Sequence, residues 1–162
     1  MIKLIIIIAI LIIFAVLLYL GHTSEKELNS QMSFRESMDL TELPVVTFYQ
    51  GEKKINFLLD TGSNNSLLNA YCGLDIEFKG TDAKTEIYGI NGEKIVAKCA
   101  KIKFSYKDFT FDYNFQICDL SSTFEAIKKE TGVTIHGILG NQFFKEYSYI
   151  LDFDKLVAYS KK

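Results

Sequence analysis

Residues 56–69 read NFLLDTGSNNSLLN. Apolar Phe57, Leu58 and Leu59 run straight into Asp60, and Thr61, Gly62 and Ser63 follow. That order aims a carboxyl group out of the end of a buried strand. Gly62 permits a tight turn and a close backbone approach. Thr61 and Ser63 supply short hydroxyl donors that can fix a carboxylate. No His or Lys stands in the motif to serve a nucleophile. The chemistry such a loop can do needs a second carboxyl group beside the first. Two carboxyls about 3 Å apart cannot both ionise readily, so they share a proton. One then takes a proton from water and the other gives one to the leaving group, without a covalent intermediate. The pair titrates as a unit.

The elements that must position this loop are mostly strands. Residues 43–50, LPVVTFYQ, and 53–59, KKINFLL, are strand-like and separated by Gly51 and Glu52. Ile102, Phe104 and Tyr106 alternate with polar residues, as do Phe109, Phe111, Tyr113, Phe115 and Ile117. A period of two places one face of each segment on a core, and a hairpin turning at Lys107 and Asp108 is expected. Asn91 and Gly92 mark a second hairpin turn. Ser122 with Glu125 predicts a capping box opening a helix that Gly132 closes, with Phe124 and Ile127 on one side. A second short helix is expected after Gly140, and two strands about a turn at residues 153–155 end the chain. The fold class is therefore mostly β, with one or two short helices.

Residues 58–66, LLDTGSNNS, resemble the active-site loop of aspartic proteases. Residues 136–144, HGILGNQFF, are similar to that family's second signature: Ile138, Leu139 and Gly140, then a short helix. In the family this strand threads through the loop that bears the aspartate. Residues 87–94, IYGINGEK, resemble the flap hairpin that closes over substrate, with Tyr88, Gly89, Asn91 and Gly92 at its tip. Residues 149–160 are similar to the closing hairpin. Order and spacing resemble a single-lobe, retropepsin-like aspartic protease over nearly all of residues 40–160. The resemblance implies that Asp60 is catalytic, that Thr61 bonds across a dimer axis, and that Gly62 and Ser63 steady the carboxylates. The motif occurs once, and Glu130, Thr131 and Gly132 lack its apolar lead-in. A single lobe with one such loop implies a symmetric homodimer acting on a peptide or protein substrate. No metal and no organic cofactor is required. The alternative function is a non-catalytic dimerisation or peptide-binding module. The loop also resembles the phosphate loop of actin-like ATPases, but that fold needs far more chain and a second phosphate loop.

The remaining sequence bounds the setting. The chain has 162 residues and a net charge of −2, so no basic excess argues for nucleic acid. Residues 4–20 are uncharged and apolar. They lie at the short end of what spans a bilayer, with Lys3 before them and Tyr19 near the far end. An uncleaved, single-pass transmembrane helix over residues 1–21 is the expectation, with the domain outside the cytoplasm. A cleaved signal peptide is the alternative. Residues 22–39 read as a polar tether and 40–162 as the protease-like domain. Cys72, Cys99 and Cys118 fit no zinc spacing. Buried small side chains are expected there, with one disulfide as the alternative in an oxidising space. His136 is expected to be a loop or core histidine.

Overall fold

A computed structural model describes residues 2–73, 76–88 and 94–160, with backbone alone at 2–5, 23–30, 81–88 and 94–95. Helix α1 (Ile2–Ser30) comes first, followed by strand β1 (Met32–Ser33) and helix α2 (Arg35–Thr41). Strands β2 (Val45–Gln50), β3 (Lys53–Leu59) and β4 (Leu67–Asn69) lead to three long strands, β5 (Phe78–Tyr88), β6 (Lys94–Tyr106) and β7 (Phe109–Cys118). Helix α3 (Ser121–Thr131), strand β8 (Gly137–Leu139), helix α4 (Asn141–Tyr147) and strands β9 (Tyr149–Asp152) and β10 (Val157–Ser160) complete the order.

Seven strands share one sheet in the order β2-β3-β8-β4-β7-β6-β5. A further β2–β6 pairing at Tyr49 and Ser105 brings the far parts of the sheet together, so it rolls toward a barrel. Strands β1, β10 and β9 form a separate three-stranded sheet. The expected hairpins are present. β2 and β3 pair antiparallel around Gly51, whose φ of 61° is the left-handed turn geometry a glycine adopts freely. β6 and β7 pair around Lys107 and Asp108, with Lys107 at a φ of 49°.

The alternating aromatics fill the inside of the roll. Phe48, Phe57, Phe104, Phe111, Phe115 and Phe143 are all buried in one cluster. Phe48 meets Phe104 edge to face at 5.2 Å, and Phe57 stacks on Phe115 at 5.1 Å. Such contacts add to area burial and fix the register of the strands that carry them. A second, smaller cluster of Val45, Phe124 and Ile135 lies outside the roll, with Leu58, Ile127 and Ile138 packed against it. β3 and β8 are therefore covered on both faces, which explains the unbroken apolar run that precedes Asp60.

Three expectations change. The stretch 22–39 is more than a polar tether: α1 continues through Ser30, and Met32 and Phe34 are buried in the main core. Phe34 packs its ring on Phe153 at 5.5 Å, so the folded part begins near residue 32. Helix α3 starts at Ser121 without a side-chain cap, and Asp119 Oδ1 accepts the Ser121 amide instead of a Ser122 box. Gly132 does close that helix, at a φ of 77°. The three cysteines are half-buried rather than buried, and no disulfide joins them. Burial, then the neighbouring Asp119 charge, pushes the Cys118 thiol up. Among the described residues no helix is long and apolar enough to cross a membrane. The part of α1 with described apolar side chains, residues 6–20, measures ~22 Å against a hydrocarbon core of ~30 Å.

Candidate active site

Asp60 stands where β3 ends, half-exposed. Its amide donates to Leu139 O at 3.0 Å, so the strand pairing continues to the last residue before the loop turns away. β8 runs parallel to β3, with Leu59 opposite Leu139, and antiparallel to β4, with Leu67 opposite Ile138. The strand that carries Ile138 and Leu139 therefore threads between the two arms of the loop at residues 60–66. Ile138 packs toward the outer cluster and Leu139 is buried in the inner one.

Two glycines make that threading sterically feasible. A Cβ on Gly137 would collide with Leu67 O and lie 2.9 Å from the Phe57 ring. A Cβ on Gly140 would collide with Asn65 O and lie 2.7 Å from Ser63 O. Close backbone approach, not left-handed geometry, is what glycine supplies at both positions.

Within the loop, the Gly62 amide donates to Asp60 Oδ1 at 2.8 Å. Gly62 thus steadies the carboxylate directly. The Ser63 hydroxyl does not: it donates to Asn65 O at 2.7 Å, while the Ser63 amide donates to Asp60 O at 3.3 Å. Thr61 is exposed, and its carbonyl accepts the Asn141 side-chain amide at 2.6 Å. The amides of Asn141 and Gln142 donate to Ser63 O at 2.8 Å and Asn64 O at 3.1 Å. Buried Ser66 accepts the Gly140 amide on its hydroxyl at 3.0 Å. The arrangement holds one carboxyl rigidly at a rim, with no partner acid from the same loop.

The family model described as aspartyl protease matches residues 46–143. The chain belongs to the aspartyl protease family. That span runs from β2 into α4 and includes Asp60 and Gly140. EIAV protease, solved in complex with the inhibitor HBY-793, has the same fold: TM-score 0.51, 19% identity, 71% of this chain and 97% of that chain covered. The fold is thus retropepsin-like. No curated protein matches the chain in sequence.

Other sequence-marked residues are placed as follows. Tyr88 ends β5 opposite Lys94, which frames the expected flap hairpin. Gly89, Asn91 and Gly92 lie outside the described residues. Two open grooves, of about 670 and 570 Å³, lie away from the aspartyl protease loop. Tyr49, Lys101 and Lys103 line the larger, and Thr47 and Asn56 the smaller. Among the described residues no group of three His, Cys, Asp or Glu could hold a metal ion. The sequence does not mark Asn141, because nothing local signals a contact 80 residues away.

His136 is a core residue that braces the site from below. Its Nδ1 accepts the Asn56 amide at 2.9 Å, joining the start of β8 to β3. Burial, with help from the Lys128 charge, lowers its pKa below the ordinary 6.5. Protonating Nδ1 would also remove the acceptor. The unfolded chain then binds more protons than the folded one below pH ~6.5, so stability is full above that value and is lost as pH falls toward the folded pKa. The melting temperature is expected to drop between pH 7 and 5. His136→Asn, whose Oδ1 can accept the same amide, should flatten that drop. Equal slopes in the two proteins would remove His136 as the cause.

Proposed function

We propose that the chain is a membrane-anchored aspartic endopeptidase that works as a homodimer, each copy contributing one Asp60. The observation that carries this reading is the geometry of the loop: a half-exposed Asp60 at a strand end, its Oδ1 held by the Gly62 amide, in a motif that occurs once. A two-fold axis beside Asp60 would bring the two carboxyls together in an isologous interface, with Thr61 of each copy bonding across it. A water between the carboxyls loses a proton to one of them as it attacks the scissile carbonyl. The other protonates the leaving nitrogen. The peptide lies extended and adds main-chain hydrogen bonds. Tyr88, Gly89, Asn91 and Gly92 cover it and exclude bulk water. The reaction needs no metal and no organic cofactor.

The apolar residues 4–20 anchor the chain, with the domain outside the cytoplasm. This rests on the unbroken apolar sequence, on Lys3 before it, and on a helix whose described apolar side chains face outward on every side. Confinement to a membrane raises the effective concentration of the subunits.

The test is cleavage of a degenerate peptide mixture by the full-length protein in detergent micelles and in vesicles. Products are read by mass spectrometry across pH and across protein concentration. Cuts should appear at internal bonds. The rate per chain should rise with concentration until dimers saturate, and saturate earlier in vesicles. A rate per chain that stays constant while sedimentation shows monomers becoming dimers would sink the shared site. Absence of cuts from folded dimer at every pH would leave a dimerisation or peptide-binding module.

A further inference from the structure

The first turn of α4 has backbone amides with no acceptor inside the helix. Two of them, on Asn141 and Gln142, donate to the carbonyls of Ser63 and Asn64 in the Asp60 loop. The Asn141 side chain reaches further. Its Nδ2 donates to Thr61 O at 2.6 Å across 80 residues of sequence. Only the amide nitrogen can face that oxygen, because a carbonyl is an acceptor alone.

The carbonyl of Thr61 and the amide of Gly62 are the two ends of one peptide group. That group is planar and trans, so holding the oxygen fixes the direction of the N–H. The N–H is the one that donates to Asp60 Oδ1 at 2.8 Å. The result is a relay of two hydrogen bonds through one peptide plane, from the Asn141 side chain to the Asp60 carboxyl. Hydrogen bonds in series polarise each other, so the first strengthens the second.

We infer that Asn141 is a positioning residue that orients the Thr61–Gly62 peptide and so aims the Gly62 amide at the Asp60 carboxylate. This rests on the protease reading above for its catalytic consequence, and on geometry alone for its structural one. A residue that only starts α4 predicts something else. A carboxylate at a helix N-terminus is favourable, so Asn141→Asp would then be harmless or stabilising. In the relay, an Asp carboxylate faces a carbonyl oxygen and repels it. Once protonated, the same side chain can donate again.

The experiment uses full-length protein in micelles and the variants Asn141→Ala and Asn141→Asp. The first readout is the exchange rate and chemical shift of the Gly62 amide proton. The second is the pH profile of peptide cleavage. Asn141 is exposed, so both variants should fold. Asn141→Ala should speed Gly62 exchange about tenfold and lower kcat about tenfold, with KM nearly unchanged. Asn141→Asp should behave like Asn141→Ala at neutral pH and recover toward wild type as pH falls. An unchanged Gly62 amide in both variants, or an Asn141→Asp protein equal to wild type at all pH values, would overturn the inference. A wild type that cleaves nothing would remove the protease reading, while the Gly62 signal would still decide the role of Asn141.

Discussion

An Asp60→Asn chain is expected to fold like the wild type and to cleave peptides at least about 10³-fold more slowly. The two halves of that expectation have separate causes. Folding survives because asparagine has the same shape and keeps an oxygen where Oδ1 accepts the Gly62 amide at 2.8 Å. The backbone bond from residue 60 to Leu139 O is untouched. The side chain is half-exposed, so no buried charge is left without its partner. A melting temperature within a few degrees of wild type follows. Cleavage fails because an amide neither takes a proton from water at neutral pH nor returns one to a leaving nitrogen. Mixing the two chains sharpens the result. If each dimer needs two Asp60 carboxyls, an equal mixture should retain about one quarter of the wild-type rate at the same total concentration. A site complete within one chain would retain about half. Substantial cleavage by the pure variant would assign the chemistry away from Asp60.

Much of this architecture is legible in the residues themselves. β6 and β7 announce themselves by period-two aromatics, because a strand with one face on a core must alternate. The Asp60 loop is legible because an apolar run that stops at Asp, Thr, Gly and Ser has few structural uses. Other parts are not legible, for a common physical reason. Met32 and Phe34 sit in a polar stretch, and only distant partners in the main core bury them. The start of α3 is set by Asn69, whose side-chain oxygen accepts the Leu120 amide at 3.0 Å, so a well-formed local capping box is passed over. The hydroxyl of Ser63 finds Asn65 O two residues away instead of the carboxylate. Sequence periodicity reports which face is buried. It does not report which polar group a loop will choose when several are within reach.

The same distinction bears on which residues govern the site. In the proposed reaction Asp60 supplies the chemistry, yet the loop that carries it is held by β8 and α4, more than seventy residues later. The inner face of those elements is anchored by Leu139 and Phe143, both fully buried. Phe143 packs against Tyr147 at 4.9 Å and Tyr113 at 5.3 Å. The carboxyl is thus referenced to the aromatic core through two short elements, which favours catalytic geometry that does not drift with the exposed loop.

Gly140→Ala tests that coupling and should be strongly damaging for a single added methyl. The added Cβ would collide with Asn65 O and stand 2.7 Å from Ser63 O and 2.8 Å from the Asn65 carbonyl carbon. All three are backbone atoms of the Asp60 loop, so no side chain can swing aside. Either β8 retreats from the loop or the loop retreats from β8. The first breaks the Gly140 amide bond to Ser66 Oγ and the Asn141 amide bond to Ser63 O. The second displaces Asp60. Overpacking of this kind costs about 3 kcal/mol, or a melting temperature lower by roughly 10 °C. Cleavage should fall further than stability, since a shift near 1 Å in a reacting group costs about 100-fold. Gly80→Ala is the matched control: it lies in β5 with nothing within 4 Å of its added methyl, so it should change stability by less than about 0.5 kcal/mol. Equal melting temperatures for the two variants would mean that β8 and the loop can separate without cost, and the tight threading of the second signature would then not be what holds Asp60 in place.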